Sequence, residues 1–243
     1  MNYTLHSISS YLFLTFTYSI LSTILKSKKH VLYLFCAFFA LVIFSQCAFA
    51  SQVISGKCTT DPNNPHYDFY PVFFHCFLPW FFIFGVIAIM LEGFPASLGP
   101  FSNTFGFITV KLMGVSSLIK KLLKSDFYSK ATVRDSGIKA LSDAIHDIRD
   151  KDDSLFINLF TSRNFDANME TYDNMFNKSD MNIFRANVES FRHLVKIKET
   201  VSKTIWYILA GFLSSSITSL KLTSWKCKRS LKELTKLNDK RKR

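Results

Sequence analysis

The sequence is poor in the residues and motifs that carry chemistry. No two of its 5 cysteines form a CxxC pair, which removes the usual zinc-ribbon and dithiol redox sites. It has no phosphate-binding GxxxxGK[ST] loop, no GxSxG elbow, no HExxH pair and no dinucleotide fingerprint. Gly (8) and Pro (6) are few, and there is neither an internal repeat nor a long low-complexity tract, so solenoids and linker-built chains are excluded. Arginine is scarce, 8 residues against 22 lysines. The bidentate forks that suit phosphate recognition are therefore few, and nucleic acid is not an expected partner. No enzymatic activity, cofactor or metal is expected.

Bunched apolar residues are what the chain does have. It is 48% hydrophobic and 16% aromatic, with 26 Phe. A soluble domain of this length would spread such residues periodically; here they fall in charge-free blocks, the signature of membrane segments. The strongest is Val72–Leu91, interrupted only by His75 and the helix-disturbing Pro79. Twenty residues of helix span about 30 Å, the thickness of a bilayer core. The expected fold is an all-α integral membrane protein: several apolar helices, some lying in the membrane plane, a small helical cytoplasmic unit, and a basic tail.

Seven segments follow. Residues 1–25 form an apolar, Ser/Thr-rich segment read as a membrane helix, because a lone strand there would leave backbone groups unpaired. Residues 26–50 have the layout of a secretory signal: a basic Lys26–His30, an apolar Val31–Phe44, and small residues Ala48 and Ala50 before Ser51. Two readings stay open, a leader cut after Ala50 or an uncleaved span. Residues 51–70 read as a polar loop, with so little basic charge that it belongs on the non-cytoplasmic side. Cys58 and Cys76 flank that loop and would form a disulfide in an oxidising compartment. Residues 71–124 combine the span 72–91 with a second helix whose stripe is Phe101, Phe105, Ile108, Leu112, Val115, Ile119 and Leu122. That helix is expected in plane or re-entrant, since a full crossing would carry Lys120, Lys121 and Lys124 to the non-cytoplasmic side.

Residues 125–202 have soluble composition, 11 Lys+Arg against 13 acids. Helices are expected from Ser136 through Ile148 and after an Asp180 cap, with a loop over 164–178 and an apolar stripe through Ile183, Phe191 and Val195. Residues 203–220 are an amphipathic or weakly spanning helix. Residues 221–243 form the tail, with 10 Lys+Arg against 2 acids. Lys226, Lys228, Arg229, Lys232, Lys236, Lys240, Arg241, Lys242 and Arg243 are expected to contact anionic lipid on the cytoplasmic face.

Three further features are weighed as ordinary. His75, one turn into its helix, reads as an interfacial residue rather than a proton relay. His146 among Asp143, Asp147 and Asp150 reads as the wet face of a helix. Asn2–Tyr3–Thr4 and Asn177–Lys178–Ser179 match the glycosylation triplet, a pattern that arises often by chance. The composition thus points to a membrane component that assembles with protein partners or with itself, such as a secretion or conjugation subunit of a bacterial inner membrane, or a viral protein of a host membrane or envelope. The alternative is an oligomeric pore lined by the polar stripes of 3–25 and 101–124.

Overall fold

The computed structural model describes residues 3–25, 27–58, 69–124, 143, 145–148 and 152–225. Among them there is no β-strand, only an isolated bridge between Leu123 and Phe176. The chain forms two compact units, Met1–Gly93 with Trp206–Arg243, and Phe94–Ile205.

The first unit is a helical bundle. Helix α1 is Tyr3–Ile24 and α2 is Lys28–Cys58. Helix α3, Phe69–Pro79, continues through a π-helical turn, Trp80–Phe84, into α4, Gly85–Gly93. Pro79 has no N–H to give and its ring crowds the preceding turn, so the helix widens by one residue rather than breaking. The fourth rod is the C-terminal part of a helix of 43 residues, Met181–Thr223. Four helices are long and apolar enough to cross a membrane: α1, α2, α3 with its continuation, and this last helix. Helix α2 does not stop near Ala50; it runs on to Cys58, through residues expected to be loop. Nothing between Ser51 and Cys58 forbids this, since the only breaker there is Gly56.

Contacts fix the directions of the rods. Ser7 meets Gln46, whereas Tyr18 stacks on Phe38 at 4.6 Å, so α1 and α2 are antiparallel. Phe38 meets Phe84, whereas Cys47 meets Cys76, so α2 and α3 are antiparallel. Phe84 meets Tyr207, whereas His75 meets Trp225, so the last helix runs against α3.

The second unit begins at Phe94, well before the boundary that composition suggested. A 3₁₀ turn, Pro95–Leu98, leads to α5, Gly99–Phe101, a π-helical turn, Ser102–Gly106, and α6, Phe107–Leu112. The expected continuous helix over 101–124 is broken at Gly114, whose φ of +88° only glycine adopts without strain. Helix α7, Val115–Leu122, follows. After it come α8, Ser154–Leu159, α9, Phe165–Thr171, and a 3₁₀ turn, Asp173–Met175. The long helix Met181–Thr223, α10 here, supplies residues 181–205 to this unit and 206–223 to the other. Asp180 caps it, accepting from the amides of Asn182 at 2.8 Å and Ile183 at 3.1 Å. Between Met181 and Ala210 there is neither Gly nor Pro, which lets one helix run through both units.

The core of the second unit is aromatic and filled. Phe156, Phe160, Phe165, Phe176 and Phe191 are buried together with Val115, Ile119, Leu122 and Val195. Residues 164–178, expected as loop, instead hold α9 and place Phe165, Met175 and Phe176 in this core. The asparagines that suggested a loop hold the corners: Asn164 and Asn168 both donate to the Leu159 carbonyl, at 3.0 and 2.7 Å.

Candidate functional site

The first unit places polar side chains where a soluble bundle would place leucines. Ser7 of α1 donates to the Gln46 side-chain carbonyl, and Gln46 Nε2 donates back to the Ser7 backbone carbonyl at 3.1 Å. Ser7 Oγ lies 3.3 Å from Ser215 Oγ of α10. One turn along, the Tyr11 hydroxyl donates to the Tyr207 carbonyl, and Ser214 Oγ reaches the Pro79 carbonyl at 3.4 Å. Ser7, Thr15, Gln46, Ser214, Ser215 and Thr218 are all buried. Trp80 Nε1 and Thr218 Oγ1 are buried with no hydrogen-bond partner.

Small residues let the rods approach. A methyl group on Gly211 would lie 1.9 Å from the Tyr11 ring, so the ring is seated directly on the α10 backbone. Tyr11 in turn packs on Trp80 at 5.1 Å and on Phe84 at 6.0 Å. This close approach over glycine with polar contacts across it is how helices associate where the hydrophobic effect cannot drive them together.

Cys76 carries a thiol that lies beside Cys47, both side chains buried. The Cys58 side chain, its expected partner, lies outside the described residues. Ala48, Ala50 and Ser51 lie inside α2, and Ala50 is fully buried in the bundle. His75 is exposed, and its ring meets Trp225 edge to face at 5.3 Å. With Lys221 and Ser224 the two rings line an open cleft of about 360 Å³ at one end of the bundle. The tail residues Lys226, Lys228, Arg229, Lys232, Lys236, Lys240, Arg241, Lys242 and Arg243 lie outside the described residues.

In the second unit the side chain at odds with its surroundings is Lys198. It is 1% exposed, and its ammonium donates to the Ile157 carbonyl at 2.9 Å and to Asn158 Oδ1 at 3.2 Å. Burial pushes its pKa down to about 8. Lys198 precedes the charge-free stretch of α10, which begins at Thr204. On the unit's surface, Arg192 pairs with Asp166 at 2.6 Å and lies 4.2 Å over the Phe165 ring. His146 and Asp147 are exposed while Ile145 is buried, and Asp150 lies outside the described residues. No group of three metal-ligating side chains converges among the described residues.

Sequence reasoning missed three of these features: the Gly211–Tyr11 seat, the Cys47–Cys76 neighbours and the buried Lys198. Gly211 lay in view within a serine-rich apolar run, the pattern of a tight helix interface. The other two depend on which faces meet, which no spacing along the chain reveals. Compared with protein-family models, curated proteins and solved structures, the chain matches none.

Proposed function

We propose that this chain is a non-enzymatic integral membrane component that assembles with protein partners, of the kind found in secretion or conjugation machines of a bacterial inner membrane or among viral membrane proteins. The observation that carries the reading is the fate of the polar stripe on α1. Ser7, Thr15 and Ser19 are buried within this chain's own bundle, where Ser7 bonds to Gln46 and lies against Ser215. An oligomeric pore lined by that stripe would need the same hydroxyls to face a shared lumen, so their burial counts against the pore alternative. The outward faces of the rods support membrane residence: Phe13, Ile20, Phe44, Phe82 and Ile89 are all exposed. Extraction in mild detergent should give a defined complex of fixed stoichiometry. A lone chain that conducts ions in liposomes would overturn the proposal in favour of a pore.

The same bundle supports an uncleaved α2, since Ala50 lies inside that helix and is fully buried in the bundle. It also supports a topology of four crossings, in which the last helix runs back alongside α3. Trp225 meets His75, close to the end at which α3 begins. Thiols introduced at Asn63 and Asn238 should therefore react together with an impermeant reagent, and one at Asn168 from the other side. Joint labelling of Asn168 and Asn238 would mean that the last helix does not cross.

A further inference from the structure

The helical stretch over residues 99–112 is turned inside out. Its buried row is Leu98, Ser102, Gly106 and Val110. Gly106 sits so close to α10 that an added methyl would lie 2.5 Å from the Lys198 carbonyl oxygen. Three bulky apolar side chains face the other way, with Phe105 55% exposed, Ile108 53% and Leu112 85%, while Phe107 packs against the core. A surface helix of a water-soluble unit does the opposite, burying its large side chains and exposing its small ones. Small residues inward and large apolar residues outward is the arrangement of helices whose solvent is lipid.

We infer that the outward face of residues 94–113, centred on Phe105, Ile108 and Leu112, is embedded in one leaflet of the bilayer as an in-plane anchor of the second unit. Three observations choose lipid over a protein occupant. The run from Phe94 to Val110 contains no charged residue, and it follows directly on α4, the end of a helix long and apolar enough to cross. The hydroxyls on the outward side are already satisfied by their own helix: Thr104 donates to the Pro100 carbonyl at 2.6 Å and Thr109 to the Phe105 carbonyl at 2.8 Å. Those two hydroxyls therefore offer hydrocarbon no unpaired donor, and Asn103 is the one exposed amide of the run. Cations close the run, with Lys111, Lys120 and Lys121 exposed where they would meet headgroup phosphates. At about 1.5 Å per residue, 14 helical residues reach about 21 Å, too short to cross and long enough to lie along the interface. Gly114 then reverses the outlook, because Val115, Ile119 and Leu122 of α7 are fully buried in the unit's core.

The inference rests on the membrane reading, and the test separates the two. The full chain, with benzoylphenylalanine at position 105 or 108, is reconstituted in vesicles and irradiated. Control probes replace Phe13 and Ile89, on the outward faces of α1 and α4, and Asp166 on the surface of the second unit. The expected result is adducts to lipid acyl chains at 105, 108, 13 and 89 and none at 166. Adducts at 13 and 89 with none at 105 and 108 would overturn the in-plane anchor alone. Cross-links from 105 and 108 to protein would assign the face to a partner or a second copy, overturning it too. Absence of lipid adducts at all four would overturn the membrane reading itself.

Discussion

The interior of the first unit holds Ser7, Thr15, Gln46, Ser214, Ser215 and Thr218, while Phe13, Phe16, Phe44 and Phe82 stand on its outside. The second unit buries Phe156, Phe160, Phe165, Phe176 and Phe191, and keeps Asp166, Asp173 and Glu189 on its surface. On the membrane reading, the difference amounts to two sources of cohesion in one chain. In the second unit, water drives the rings together, and burying each phenylalanine contributes on the order of 2 kcal/mol. In the first, the outer phenylalanines gain nothing by moving inward if lipid surrounds them, so cohesion must come from close backbone approach and from polar contacts of roughly 0.6 kcal/mol each.

The largest effect expected from this contrast is in the second unit. Phe191 is fully buried and touches the rings of Phe156, Phe160 and Phe165. Phe191→Ala should cost about 3–5 kcal/mol there. Hydrogen exchange on the intact protein should show lost protection over 154–176 and unchanged protection over α1 and α2. Loss of protection in both would break the comparison, making the two cores one cooperative structure.

Lys198 gives a pH signature confined to the second unit. Its pKa is lowered from about 10.4 in the unfolded chain to about 8 by burial. Below pH 8 both states carry the proton, and the buried charge costs its full penalty. Between about 8 and 10.4 the unfolded state binds more protons, so stability of this unit rises with pH, by at most about 3 kcal/mol. Lys198→Met should abolish that rise and be neutral or stabilising at pH 7, because Met keeps the stem and removes the charge. An unchanged pH profile in the variant would show that another group is responsible.

The first unit is sharpened at Gly211. Alanine there is ordinarily favoured in a helix by about 1 kcal/mol. Here its methyl would strike the Tyr11 ring at 1.9 Å, and the ring is pinned by Trp80, Phe84 and the Tyr207 carbonyl. Gly211→Ala should cost about 1–3 kcal/mol, read as loss of monodispersity on heating in detergent. Tyr11→Leu in the same chain should recover part of it, since the three nearest atoms the methyl would strike all belong to the ring. Additive losses would mean that the seat is not a contact.

These positions also show where reading the chain stops. The apolar rods were legible because hydrocarbon length and missing charge are local properties of 20 residues; the blocks at 3–25, 72–91 and 205–220 lie in helices, Leu25 alone excepted. The Asp180 cap was legible for the same reason. The stripe of 101–124 was legible as a stripe, but not its division. Phe105, Ile108 and Leu112 face out while Val115, Ile119 and Leu122 face in, because Gly114 adopts a left-handed turn that a helical wheel drawn straight through it cannot represent. Likewise Asn164 and Asn168 looked like loop residues, and their amides instead tie α9 to the Leu159 carbonyl. Side chains that bond to backbone serve helices' corners as readily as loops, and only the partner distinguishes them.

The smallest effect tests whether every polar residue in the first core earns cohesion. Ser7 and Gln46 bond across helices, whereas Thr218 is fully buried and its Oγ1 has no hydrogen-bond partner. An unpaired buried hydroxyl destabilises by about 1–3 kcal/mol relative to a methyl of the same shape, less whatever relaxation recovers. Thr218→Val should therefore leave the bundle unchanged or raise its unfolding temperature by a few degrees, whereas Ser7→Ala, which takes the Ser7 donor from the Gln46 side-chain oxygen, should lower it slightly. The pair is measured in one detergent at one pH, so that only the presence of a partner differs. A destabilised Thr218→Val would show that Oγ1 is bonded in the folded protein, and the first core would then be polar and fully satisfied rather than polar and partly strained.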